Sequence, residues 1–575
     1  DMGRINWEQI PLGSIESIEV LRGGHNVLYG DKALSGVIKI ETRRTREQSA
    51  ELKGRMGSFG TQQVSALGTT SAGKWAWSAG AFSQESDGYR DNSASASRNA
   101  FVQAGRDWSG GEQLDLRFTL GEADLTYPGP LDEELYRKNP TASGNLGDEG
   151  NENQFATFTA RAQGQRDWGK WELLGGADYT GSDWTFGAGS YGENIQAGLN
   201  LKPRVRLEAG RWAWIGGFDL LYDELDFTAY LDEARTLIPS EAELSEMRFA
   251  PYVFAEYALS DRFTVSGGVR YEQTHYEAEN TAYVENQLRA VRQTNRGPRP
   301  NPNFKDPPDV DPDASYRETI DESGVSAEFS LSFRVTDRFA LWAGYDRAYR
   351  YPVFDERAAY QRFPLAEFVA RDLEAERGNQ YEAGFKWLAG AHEIYGTAYF
   401  LQMTNEIIFD PSVGRDDPTT GTGLNRNLGA VDRYGADLAY YYTRTGWGFS
   451  LALAFVRTEM RVGVDGEGVG QEVPLAPGLV TTSQLWWEPV SPLRLRLVHR
   501  FVGERVQGGD FANALQRIEA YQLWSAEAEL AVNSNCRVFV KGDNLFDERY
   551  AESALADSYY PAPGRSFQVG VKFNF

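Results

Sequence analysis

The sequence is short of three things: cysteine, long apolar runs and positive charge. Cys536 is the only cysteine among 575 residues, so the chain forms no intramolecular disulfide bond. No stretch approaches the roughly 20 consecutive apolar residues that a membrane-spanning helix needs. Lysine and arginine number 58 against 82 aspartates and glutamates, and the net charge of −24 argues against a nucleic-acid partner, whose phosphates require a basic surface.

Sequence signatures of enzymes and metal centres are also missing. There is no phosphate-binding glycine loop, no Gly-x-Ser-x-Gly elbow and no His-Glu-x-x-His helix. The 4 histidines are scattered along the chain without metal-ligand spacing. We therefore predict that the chain is not an enzyme and that it carries no cofactor.

The sequence does contain many aromatic residues and segments in which apolar and polar residues alternate. Aromatic residues make up 13% of the chain, although its mean hydropathy is only −0.50. At the C-terminus, polar residues and one glycine alternate with apolar residues that share one face: Phe567, Val569, Val571, Phe573 and Phe575. A period of two residues is typical of a strand with one apolar face.

Alternation of this kind recurs about 22 times along the chain, an even number, as single-chain bacterial barrels require. Examples are the predicted strands 247–259, 262–276 and 323–335. Short turns alternate with long polar connections, of which 277–322 is the longest. Because short turns on one side and long loops on the other are typical of outer-membrane barrels, we predict an all-β fold. It is an antiparallel transmembrane β-barrel of about 22 strands, formed by residues 47–575.

Residues 1–46 follow a different pattern. Two short apolar segments flank a glycine-rich bend that begins at Gly23-Gly24. So few residues make a marginal independent domain. We expect these residues to pack against another part of the protein, and the lumen of the barrel could accommodate them.

Motifs at both ends of the chain resemble one family. Ile15–Gly23, followed by Leu28-Tyr29-Gly30, resembles the end of the plug domain of TonB-dependent outer-membrane receptors, although Gly24 stands where the family usually has proline. Asn544-Leu545-Phe546-Asp547 and Pro563-Gly564-Arg565-Ser566-Phe567 resemble the last two barrel strands of that family. Tyr434-Gly435 with Asp437, where the family often has glutamate, resembles an internal strand. We therefore assign residues 1–46 to the C-terminal part of a plug domain, so that the barrel carries a partial plug at its N-terminus.

The resemblance implies a function in the outer membrane. It implies active uptake of a scarce, bulky extracellular ligand: a ferric siderophore, a cobalamin-like cofactor or an oligosaccharide. Energy would come from a TonB-type protein in the periplasm. The family's TonB box and the earlier part of the plug are not among these residues, and no secretion signal is visible at Asp1, so we expect the sequence to begin inside a larger chain. A passive channel and a structural barrel in a larger membrane assembly stay open as alternatives.

The resemblance also implies a contact between plug and barrel. Family members pair plug arginines with barrel glutamates, and Arg22 and Glu382 match those positions. A charge shielded by the barrel wall needs a partner, so we predict an ion pair between them. The alternative is that Glu382 only lines a wet lumen.

Two further groups of charged residues have both a functional and a structural interpretation. Arg494, Arg496 and Arg500 project from one face of a predicted strand and could guide an anionic ligand, although we favour a role in balancing acidic neighbours. Asp306, Asp309, Asp311 and Asp313 could hold calcium. Their prolines and spacing differ from a calcium-binding loop, so we favour a solvated acidic loop and predict no metal site.

Overall fold

The computed structural model describes residue 10 and the ranges 14–43, 47–108, 110–145, 149–185, 191–230, 232–238, 240–283, 291–294, 297–300, 316–357, 373–410, 424–463 and 468–575. The first elements are β1 (Ile15–Arg22), α1 (Asn26–Tyr29) and β2 (Gly36–Thr42). β1 and β2 pair antiparallel in a sheet of their own. We call residues 14–43 the lumen segment.

The remaining elements follow in chain order. They are β3 (Ser49–Gly57), β4 (Gln62–Ala72), β5 (Trp75–Ser86), β6 (Ser95–Asp107), β7 (Gln113–Thr126), α2 (Glu133–Lys138), β8 (Gly150–Arg166), β9 (Gly169–Thr185), β10 (Tyr191–Ala209), β11 (Trp212–Tyr230), β12 (Ser240–Ala258), β13 (Phe263–Ala282), β14 (Val291–Thr294), β15 (Gly297–Pro300), β16 (Tyr316–Thr336), β17 (Phe339–Arg350), α3 (Phe354–Arg357), β18 (Glu376–Ala389), β19 (His392–Asp410), β20 (Leu424–Arg444), β21 (Trp447–Val462), β22 (Leu479–Val490), β23 (Leu493–Val502), β24 (Tyr521–Ala531), β25 (Cys536–Asp543), β26 (Ala551–Leu555), β27 (Ser558–Pro561) and β28 (Ser566–Asn574). Within the described ranges, no helix is long and apolar enough to span a membrane.

A closed antiparallel barrel dominates the fold, and it confirms the predicted fold class. Its 22 strands are β3 to β13, β16 to β25 and β28. The last strand closes the barrel because β28 pairs with β25 on one side and with β3 on the other. Closure thus joins the last barrel strand to the first, so neither ends the sheet as an edge strand. The predicted boundary between residues 46 and 47 lies between β2, which ends at Thr42, and β3, which begins at Ser49.

Strand β11 shows how the sequence pattern builds the wall. Trp212 and Tyr222 are exposed on the outer face, with further apolar side chains between them. Beyond Tyr222 the apolar residues move from the outer to the inner face, so that the phase of the apolar pattern reverses. Glu224 points outward, while Leu225 and Phe227 are buried inside. The outer face is apolar only where it meets lipid, and above that level it meets water.

This reversal explains where the predicted strand ends were wrong. β12 begins at Ser240 instead of residue 247, β13 extends to Ala282, and β16 begins at Tyr316 instead of residue 323. Backbone pairing continues above the membrane, but the apolar side chains there face inward. A strand predicted from apolar residues on the outer face alone therefore ends too early. The predicted long connection 277–322 is shorter for the same reason.

Apolar side chains line the inner wall at this outer end. Leu225, Phe227, Leu244 and Tyr276 form a buried cluster, and Phe354 of α3 packs into it from the connection that follows β17. This connection is thus tied to the inside of the barrel. Its hydrophobic anchor lies on the same strands as the charged residues described next.

Candidate functional site: the contact between the lumen segment and the barrel wall

The centre of the contact is helix α1, which lies against β12, β13, β16 and β17. Asn26 Nδ2 donates to the carbonyl oxygen of Tyr349 at 2.7 Å and to that of Asp31 at 3.2 Å. Val27 is buried against Gly268 of β13, where an added Cβ would lie 2.9 Å from Val27 Cγ1. A side chain at position 268 would therefore displace the helix.

A buried ion pair follows the helix. Asp31 Oδ1 lies 2.9 Å from Arg248 Nη1, and the two side chains are only 6% and 4% exposed. On the other side of Arg248, Nη2 contacts Glu246 at 3.0 Å, and Thr274 donates to Glu246 at 2.7 Å. Buried charges are stable when they are paired and hydrogen-bonded, and each charge of this set lies beside an opposite charge. Asp31 Oδ2 is the exception to the hydrogen bonding, since it is buried without a partner among the described residues.

A second charged group lies beside the first. Arg270 contacts Asp219 at 2.9 Å and Glu272 at 2.8 Å, with all three side chains buried. Tyr349 donates from its hydroxyl to Glu272 Oε2 at 3.2 Å, and Tyr351 donates to the Glu272 carbonyl oxygen at 3.1 Å. Burial raises the pKa of Tyr351, which keeps this phenol protonated and able to donate.

Gly30 closes the helix in a backbone conformation that suits glycine. Its φ is 92° and its ψ is −177°, a region that side-chain-bearing residues rarely adopt. A Cβ at this position would lie 3.4 Å from Arg270 Nη2. The glycine therefore brings the turn before Asp31 close to the charged wall.

The predicted pair of Arg22 and Glu382 is corrected by the structure. Arg22 Nη1 contacts Asp437 of β20 at 2.9 Å, and the side chains are 65% and 24% exposed. Glu382 instead accepts from Gln380 at 3.2 Å. It lies against the backbone of Gly23, where an added Cβ would be 3.1 Å from its Oε2. Arg22 thus reaches β20, two strands further round the wall, and a role of these residues in locking a plug stays a prediction.

The three arginines of the predicted ligand site pair with the barrel wall where the described residues give them a partner. Arg494 pairs with Glu488 at 2.6 Å and Arg496 with Glu527 at 3.6 Å on neighbouring strands. Arg500 lies on the same face of β23. A role of the three arginines in guiding a ligand stays a prediction. The calcium candidates Asp306, Asp309, Asp311 and Asp313 lie outside the described residues.

Sequence reasoning missed Asp31, Arg248 and Glu246. In the predicted strand 262–276, Arg270 and Glu272 alternate with Val269 and Tyr271, and the structure places the two charged residues on the inner face. The partner of each charge depends on strand register and on the path of the lumen segment. Neither can be read from one strand's pattern.

The space beside the contact is large. A cavity of about 930 Å³ separates the lumen segment from β17 to β21, and Arg22, Lys32, Trp342, Glu382 and Tyr399 are among its lining residues. A second cavity of about 720 Å³ lies on the side of β6 to β12. Residues 14–43 therefore touch the wall at discrete points.

Comparison with known proteins agrees with this architecture. A family model described as TonB dependent receptor-like, beta-barrel, matches residues 30–545. The vitamin B12 transporter BtuB of Vibrio cholerae serotype O1 is 38% identical over 64 residues, which cover 11% of this chain and 10% of that relative. BtuB of Photobacterium profundum is 36% identical over 77 residues, 13% of each protein. The alignments thus span about a tenth of these curated relatives.

Solved structures match over nearly the whole chain. The ferric yersiniabactin uptake receptor FyuA from Yersinia pestis has a TM-score of 0.78 and 16% identity, covering 98% of this chain and 85% of that one. The ferric citrate transporter FecA has a TM-score of 0.77 and 16% identity, covering 99% and 85%. The copper transporter OprC has a TM-score of 0.77 and 16% identity, covering 97% and 85%. At such identities, the likeness concerns the fold.

Proposed function

The chain belongs to the TonB-dependent receptor family and lies in the outer membrane, and we propose that it takes up a scarce, bulky nutrient by energised transport. The cargo would be a ferric siderophore, a cobalamin-like cofactor or an oligosaccharide that binds on the extracellular side. A TonB-type protein would supply energy from the periplasm. The lumen segment would be the end of a plug domain, with the barrel beginning at residue 47.

The observation that carries the proposal is the contact of helix α1 with β12, β13, β16 and β17, which we call the seat of the helix. A simple pore has no need of a helix held inside it by the buried Asp31–Arg248 pair. A barrier held by charges and hydrogen bonds can be released and reseated, because polar contacts exchange with water when the segment moves.

Uptake by intact cells tests the proposal. Cells with the gene and cells without it would be given ⁵⁵Fe-labelled hydroxamate and catecholate siderophores, ⁵⁷Co-cyanocobalamin and a ¹⁴C-labelled oligosaccharide. We expect one of these probes to enter only when the gene is present, and an uncoupler of the proton gradient to abolish its entry. Entry that survives the uncoupler would indicate a passive channel. A gene that changes the uptake of none of the probes would favour a structural barrel.

A further inference from the structure

β16 and β17 are not paired along their whole length in the outer half of the barrel wall. β16 pairs with β13 along nearly its whole length, from Tyr316 to Phe333. It pairs with β17 only from Ala327, opposite Arg347, down to Thr336. Among the described strands, residues 316–326 of β16 therefore pair on one side only. A notch of about 220 Å³ opens between the two strands, lined by residues that include Ser323, Val325, Arg347 and Arg377.

The notch exists because β17 turns inward at its outer end. Tyr349 is buried, and its hydroxyl donates to Glu272 inside the barrel at 3.2 Å. The Tyr349 ring crosses β16 at Gly324, where an added Cβ would lie 2.9 Å from three ring carbons. The contact that ties this strand to the inner charged group thus separates it from β16.

Two arginines flank the notch on the outer surface. Arg347 and Arg377 are exposed. Arg347 lies two residues after Tyr345 on β17, and Arg377 lies four residues before Tyr381 on β18, so both are nearer the outer end of the barrel than the paired tyrosines. These two tyrosine rings pack 5.1 Å apart on the outer face. Tyrosines at the border of an apolar band mark the level of the lipid headgroups. The two guanidinium groups therefore lie just above the acyl chains.

Neither arginine has a partner of its own in the described part of the chain. Arg350, three residues after Arg347, is held by Glu356 and Glu376, both at 2.8 Å. No ion pair or hydrogen bond of this kind engages Arg347 or Arg377 within the described ranges. Asp321, two residues above Ser323 on the same face of β16, accepts from His275 at 2.7 Å. In a chain with a net charge of −24, two adjacent arginines without an acidic partner among the described residues are available for an anion.

We infer that this notch binds the phosphate group of an outer-leaflet lipid. The planar guanidinium groups of Arg347 and Arg377 match the oxygen geometry of phosphate. Below them, Val325 and Phe329 are exposed on the outer face and offer an apolar path for an acyl chain. Basic pockets between membrane-spanning elements recognise phosphorylated headgroups in this way. The site is distinct from the contact in the lumen, and its existence does not depend on transport.

Native mass spectrometry of the purified protein in detergent, titrated with diphosphoryl lipid A, tests the inference. We expect Arg347→Gln or Arg377→Gln to weaken binding about fivefold, and the double variant about thirtyfold, as two surface arginines of this kind would. Heat-modifiable migration on gels would verify that each variant keeps its barrel. Lipid A without phosphates should bind no better to the wild-type protein than to the double variant.

Arg457→Gln is the matched control. Arg457 is an exposed arginine opposite Tyr434 of the same outer aromatic belt, and it lies away from the notch. Its substitution should leave the affinity unchanged. The inference is overturned if Arg457→Gln weakens binding as much as the notch variants do, or if removing the lipid's phosphates has no effect. Displacement of the lipid by excess inorganic phosphate alone would indicate a site for free anions and would also overturn it.

Discussion

Two of the ion pairs between the lumen segment and the barrel have the same length but differ in their surroundings. Asp31–Arg248 and Arg22–Asp437 both measure 2.9 Å. The first pair is almost fully buried, whereas Arg22 is 65% exposed. Water and salt screen an exposed pair to a net value of about 0–1 kcal/mol, while removing one partner of a buried pair costs about 3–5 kcal/mol. Burial therefore ranks these two contacts, and distance does not.

The neighbours of each pair widen the difference. Asn26 and Val27 add a hydrogen bond and an apolar contact at the buried end. At the other end, β1 and β2 form a two-stranded sheet that exposes Ile18, Val20 and Ile38. The seat of α1 is thus the main attachment, and the tip of β1 is a minor one. The following substitutions test this ranking through amide hydrogen exchange of Tyr29 and Gly30, whose backbone bonds close the helix.

The largest effect is expected for Asp31→Ala. This change leaves Arg248 buried with Glu246 but without its partner from the lumen segment, so the free energy of opening of α1 should fall by about 3 kcal/mol. Glu41→Ala, which removes an exposed carboxylate of the same segment, is the control and should have little effect. Equal exchange rates in both variants would show that the buried pair does not hold the helix.

Gly30→Ala is expected to come next. The added Cβ would strain a backbone conformation that glycine alone adopts readily, at a cost of about 2 kcal/mol. Gly73→Ala has a comparable positive φ in a barrel turn with open space around it. That control should leave the exchange of α1 unchanged, and any loss of protection that it caused in α1 would contradict the local explanation.

Asn26→Ala should have a moderate effect. It removes the donor to the Tyr349 carbonyl oxygen and should cost about 1 kcal/mol, the net value of one hydrogen bond. The double variant Asn26→Ala with Asp31→Ala should lose less than the sum of the two, because both changes release the same helix. Full additivity would mean that the two contacts hold independent parts.

The smallest effect is expected for Arg22→Ala. Its exposed pair with Asp437 should contribute less than about 0.5 kcal/mol and should weaken as salt concentration rises. Exchange of β1 amides in low and high salt measures this contribution. A loss as large as that of Asp31→Ala would reverse the ranking of the two pairs.

The sequence was sufficient to predict the barrel, because the alternation of a lipid-facing strand is local. It was less informative above the membrane, where Leu225 and Phe227 reverse the phase while backbone pairing continues. The Asp31–Arg248 pair joins residues that are 217 positions apart, and its geometry depends on the fold of the whole wall. Arg22 was recognised as a contact residue by resemblance, but its partner Asp437 lies on β20, two strands from the predicted Glu382.

The most direct measurement concerns whether α1 has to leave its seat during uptake. Cysteines at positions 24 and 346, with Cys536→Ser, can form a disulfide that ties the residues just before α1 to β17. The ideal Cβ of Gly24 lies 3.1 Å from Asp346 Cβ, and the next atom outside that side chain is 3.6 Å away, so a slight shift gives the Cβ separation of about 3.5–4.5 Å that such a bond needs. In cells, uptake of the probe that wild-type cells accumulate should stop when this bond forms and resume when it is reduced. Uptake at the wild-type rate with the bond intact would contradict the account, because transport would then proceed without release of the helix.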